Sequence, residues 1–205
     1  MNKYQSPFDP NVDPIYNATL NFLDDMSYGY IEGYRCASKI LADYATDGIS
    51  ETRYAGSSMD MLIYPILFLY RHHLEIRFKK IIKDAKFLLK EHPDYNDGHT
   101  LSLLWTEAEH KIISVLTNNY QNINEEFNIG FIFVTEAVND IEAKDPTCDG
   151  FRYPERAKKR SDVSRSKNIP DITHINIKTH QTNMEHITNF LDMIDSLFEQ
   201  YIDEN

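Results

Sequence analysis

Between Thr182 and Tyr201 the apolar residues Met184, Ile187, Phe190, Leu191, Ile194, Leu197, Phe198 and Tyr201 recur at spacings of three and four. That is the period of one face of an α-helix, and such a stripe must be buried against other elements. The same spacing returns along most of the chain. Ile31, Tyr34, Ala37, Ile40, Leu41 and Tyr44 predict a helix over 28–45, ended by Asp47-Gly48. Ser57 or Ser58 can cap a helix from about Met59 to about Glu91, carrying Met61, Leu62, Ile66, Leu69, His73, Ile76, Phe78, Ile81 and Ile82. Pro65 falls inside that pattern and is expected to kink the helix or occupy its first turn, because it donates no amide hydrogen bond.

Leu101, Leu104, Trp105, Ala108, Ile112, Val115 and Leu116 predict a third helix, with Thr100 as its N-cap. Phe127, Phe131, Val134, Val138 and Ile141 predict a fourth, although the β-branched and aromatic run Ile129 to Val134 leaves a strand open. Residues 1–14, with Pro7, Pro10 and Pro14, read as an extended arm. The expected fold is all-α: a single domain over 1–205, a bundle of about five main helices with an irregular or hairpin excursion near 148–178.

Composition narrows the function classes. Twenty-one basic residues stand against 32 acidic ones, a net charge of −11. An acidic surface repels phosphate backbones, so non-specific duplex binding is not expected outside a local basic patch. Cys36 and Cys148 form no CxxC pair and read as reduced thiols of a cytoplasmic protein. The polar start of the chain is no signal peptide, and its longest apolar run, Met61 to Tyr70, is half the length of a membrane span. GxxxxGK[ST], GxGxxG, GxSxG and HExxH are all missing from the sequence. No cofactor is expected. No metal is expected either, since the adjacent His72 and His73 point about 100° apart on a helix and cannot chelate one ion.

Three segments remain as candidates for chemistry. Tyr70-Arg71-His72-His73-Leu74-Glu75 places Arg71 and Glu75 on one helix face, as a half-buried polar network or as an anion site with a histidine for acid–base work. Arg71 and Glu75 are expected inside the bundle, paired with each other or with His99. His99 precedes the third helix and either packs on a neighbour or joins that site. Arg152, Tyr153, Arg156, Lys158, Lys159 and Arg160 form a basic segment that opens with aromatics, suited to RNA or nucleotide contact by charge and stacking. The bland alternative is a solvated loop in which Phe151 and Tyr153 plug the core.

The ordered set Gly29-Tyr30-Ile31-Glu32-Gly33-Tyr34-Arg35, Ile63 to Glu75, Gly98-His99-Thr100-Leu101 with Leu104-Trp105, and Phe151-Arg152-Tyr153-Pro154 resembles a family of bacterial proteins similar to the HEPN superfamily. The resemblance runs from about residue 8 to residue 200. It implies a compact helical bundle that dimerises, working in a bacterial stress or phage-defence system as a binding or regulatory module. The partner would be RNA, a nucleotide or a protein. Nuclease members of that superfamily carry Arg, four to six residues, then His. No Arg and His here stand at that spacing. A metal-independent ribonuclease would therefore have to use Arg71 with His72, His73, Glu75 or His99. The 13 Tyr and 11 Phe supply more aromatic surface than one small bundle core takes up, and favour a homodimer.

Overall fold

In the computed structural model the described residues are 15, 18–21, 25–47, 55–92, 98–119, 123–155 and 172–203, with the backbone alone at 55–58. They form five helices: α1 (Ser27–Asp47), α2 (Ala55–Leu88), α3 (Leu101–Asn118), α4 (Glu125–Lys144) and α5 (Ile177–Asp203). There is no β-strand among the described residues, so the fold is an all-α bundle and Ile129 to Val134 is helical. The arm expected over 1–14 lies outside the described residues, Asp47 remains the last residue of α1, and Gly48 is likewise outside. No helix of the described residues is long and apolar enough to cross a membrane.

The helix ends differ from the expectations for local reasons. α2 starts at Ala55, so Ser57 and Ser58 lie within it, and Pro65 sits well past the first turn. It ends at Leu88 rather than Glu91 because Lys90 adopts φ 57. There the Lys90 amide donates to the Phe87 carbonyl at 3.0 Å and the Glu91 amide to the Lys86 carbonyl at 2.9 Å. These two bonds are the Schellman pattern, achieved without glycine. Thr100 occupies the N-cap of α3 but its side chain makes no cap bond. Glu142 of α4 does that work, its Oε2 accepting from the Ser102 amide at 2.9 Å. α5 begins five residues before Thr182, because Asn176 Oδ1 accepts from the Thr179 amide at 2.9 Å. Residues 145–155 form turns and 172–176 are irregular, while 156–171 lie outside the described residues.

α2 is the central helix and packs on α1, α3 and α5. Phe78, Trp105, Phe131 and Phe190 run through the core from α2 to α5, with successive ring centroids 5.1, 6.3 and 5.3 Å apart. Trp105 buries its indole and satisfies its N–H by donating to Thr135 Oγ1 at 2.8 Å. On α1 the apolar pattern is not wholly inward: Ile40 and Tyr44 are 66% and 70% exposed. Phe151 plugs the core, whereas Tyr153 lies half exposed at the surface.

Candidate functional site

Arg71 is 5% exposed, near the middle of α2. A buried guanidinium must find partners, and these come from two other segments. Its Nη2 donates to the His99 carbonyl at 2.9 Å and to Cys148 Sγ at 2.6 Å. Glu75 Oε2 stands 3.8 Å from Nη1, and Asp145 Oδ2 stands 3.6 Å from Nε. The charge is thus balanced by two buried carboxylates. Arg71 ties α2 to the entry of α3 and to the turn after α4.

The 145–151 turn is built to deliver those partners. Asp145 Oδ1 accepts from the Gly150 amide at 2.8 Å, and Arg152 and Tyr153 donate their amides to the Asp149 carbonyl at 3.1 and 2.9 Å. Cys148 takes the left-handed φ 63, a conformation that costs a non-glycine residue on the order of 1 kcal/mol or more. Its Sγ is thereby directed at Arg71 and at the His99 carbonyl, 3.1 Å away. Burial pushes the Cys148 thiol up despite the guanidinium beside it, so it is a thiol at neutral pH.

Outside this buried knot lies a surface cluster. Phe68, His72, Glu75 and Lys79 follow one another along α2 at spacings of four, three and four, so they share one face. Glu75 Oε1 accepts from Lys79 Nζ at 2.9 Å and lies 2.7 Å from His99 Nδ1. Burial alone would raise the Glu75 carboxyl. Hydrogen bonds from Lys79 and His99 outweigh it and hold the group below the ordinary carboxylate value. An ionised carboxylate can only accept, so Nδ1 of His99 carries the proton, and Nε2 is the basic nitrogen of a ring that is 68% exposed. His72 Nδ1 stands 4.0 Å from the other oxygen of the same carboxylate. Its ring stacks on Phe68 at 5.8 Å and meets Tyr34 edge-on at 4.5 Å. Burial lowers the pKa of His72, and Arg152, Lys79 and His99 add to that against the pull of Glu75.

Arg152 completes the cluster. Its guanidinium carbon lies 5.6 Å from the Phe68 ring centroid and 5.3 Å from that of Tyr153. Tyr34, His72, Phe68, Arg152 and Tyr153 therefore form a continuous track of rings and one cation. Of the residues singled out from sequence, Arg71, His72, Glu75, His99, Arg152 and Tyr153 meet in this region. His73 does not. It is fully buried against α1, with Nδ1 3.1 Å from the Ile31 carbonyl, and burial pushes its pKa down to about 4. Arg156, Lys158, Lys159 and Arg160 lie outside the described residues. Among the described residues no three His, Cys, Asp or Glu side chains are grouped to hold a metal ion.

No family model, curated protein or solved structure matches this chain. The geometry therefore carries the functional argument. Sequence reasoning missed Lys79, Asp145 and Cys148. Lys79 was visible at i+4 from Glu75. Nothing in the spacing of Asp145 or Cys148 pointed to Arg71, which is 77 residues before Cys148.

Proposed function

We propose that the chain is a HEPN-like binding or regulatory module of a bacterial stress or phage-defence system, engaging single-stranded RNA along the Tyr153–Arg152–Phe68–His72 track. The observation that carries this reading is the Arg152 guanidinium over two rings beside two histidines. Unpaired bases stack on aromatic and guanidinium faces, while cations meet the phosphates. Arg156, Lys158, Lys159 and Arg160 follow in sequence after Pro154-Glu155 and are basic. The resemblance to HEPN proteins favours a homodimer, and Tyr30, Ile40 and Tyr44 leave apolar surface on α1 that a second copy would cover. Light scattering at micromolar concentration should return the dimer mass.

Fluorescence titration with a short single-stranded RNA tests the binding reading. Affinity should fall steeply with salt, because phosphate neutralisation releases counterions. Arg152→Ala with Tyr153→Ala should weaken binding at least about tenfold, or about 1.4 kcal/mol. Salt-independent binding, or a double variant equal to the parent, rejects the track.

A second reading is favoured by one contact, the 2.7 Å approach of Glu75 to His99. A carboxylate that fixes the tautomer of an exposed histidine prepares Nε2 as a general base, with the neutral His72 ring beside it. In this reading the chain is a metal-independent ribonuclease. Cleavage of total RNA in EDTA, abolished by His72→Ala and by His99→Ala, would establish it. Intact RNA would leave the module non-catalytic.

A further inference from the structure

One face of α1 is left without packing inside the subunit. Tyr30, Gly33, Ala37, Ile40 and Tyr44 follow one another at spacings of three, four, three and four. They therefore lie in one stripe, about 21 Å long at the helical rise. The stripe is turned away from Ile31, Ser38, Ala42 and Ala45, which α1 buries. Tyr30, Ile40 and Tyr44 are exposed large side chains. Gly33 sits inside the helix, where glycine is among the poorest helix formers. Among the described residues nothing lies within 4 Å of the place its Cβ would take, so packing inside the subunit does not require a glycine there. A missing side chain in an apolar seam is a hole for a side chain from outside.

Charge and symmetry decide what fills it. No charged residue falls within the stripe. The charges beside it are already paired, Arg35 with Glu32, and Lys39 with Asp43 and Glu185. A partner recognised by charge finds no counter-charge in this stripe. Two copies of a chain of net charge −11 meet at least electrostatic cost across such a neutral surface. The stripe is also complementary to its own reverse. Turned end for end about Ala37, it sets Tyr30 against Tyr44 of a second copy, and Ile40 of that copy over Gly33. Ala37 meets Ala37, so the backbones can come close. We propose that two copies pair through α1, antiparallel about a two-fold axis at Ala37, with Ile40 of each seated in the Gly33 hole of the other. This rests on the homodimer reading above and adds its interface and register.

Cross-linking of the full chain tests the register. Ala37→Cys, made together with Cys36→Ser, brings two thiols across the axis within disulfide reach, about 4.4–6.8 Å between Cα atoms. Mild oxidation should give a linked dimer on a non-reducing gel. Cys36→Ser alone should give none, because Cys148 Sγ is held against Arg71. Gly33→Gln tests the hole. Glutamine is the better helix former and meets nothing inside the subunit, so helical circular dichroism should be kept. Sedimentation should nevertheless show the dimer weakened about tenfold or more. A monomer mass for the parent overturns this proposal and the homodimer reading together. A parent dimer that Gly33→Gln leaves intact, or that fails to cross-link through Ala37→Cys, overturns the α1 interface alone and leaves the homodimer to another face.

Discussion

Glu75, buried on α2, holds Nδ1 of the exposed His99 at 2.7 Å, while the carbonyl of that same His99 is held by Arg71 Nη2 at 2.9 Å. One residue is thus fixed at its backbone by the structural knot and at its side chain by the carboxylate. The two attachments have different energetic weights, so substitutions should separate them.

Arg71→Ala should destabilise the protein by roughly 3–5 kcal/mol, because it leaves Glu75 and Asp145 buried without their shared cation. Urea unfolding would measure it. A change near zero would mean that the knot does not exist in solution.

His99→Ala should cost no more than about 1 kcal/mol, because its side chain is exposed and Glu75 keeps Lys79 and Arg71. The same urea midpoints check this. A loss as large as that of Arg71→Ala would assign the His99 ring a structural role and remove it from the chemistry.

Acid should destabilise the fold before the carboxylates titrate. Burial holds His73 and His180 neutral down to about 4 each. In the unfolded chain a histidine takes up its proton near 6.5, so the unfolded state binds more protons between these values. Stability should be nearly flat above about pH 7 and fall as pH drops from about 6.5 toward 4, by on the order of 3 kcal/mol per ring. The depressed Glu75 adds a loss of the same sign at lower pH, while Asp195, raised by burial, opposes it. Melting temperatures across pH 5–8 should show the slope, and His73→Phe should flatten it. An unchanged slope in that variant would place the proton uptake elsewhere.

Gly130→Ala should destabilise, although alanine is the better helix former by about 1 kcal/mol. A Cβ at Gly130 would lie 2.2 Å from two ring carbons of Phe190, a buried side chain in the contact of α4 with α5. Forcing the ring aside costs typically 1–3 kcal/mol. A rise in melting temperature would show that Phe190 moves without penalty.

The sequence by itself determined the helices, because a period of three to four depends only on neighbours along the chain. It placed α3 and the long amphipathic stripe of α5, and it put Arg71 and Glu75 on one face. The start of α3 at Thr100 was legible, but the end of α2 was not, since the Schellman turn at Lys90 has no glycine to announce it. Tertiary structure alone decided which histidine serves which purpose. His72 and His73 are adjacent, yet one stacks on Phe68 near the surface and the other is fully buried against Ile31. Their difference lies in how α1 packs on α2, not in their own spacing. The partners Asp145 and Cys148 reach Arg71 only through a turn after α4. Such contacts depend on closing loops of many residues, a dependence that local patterns do not encode.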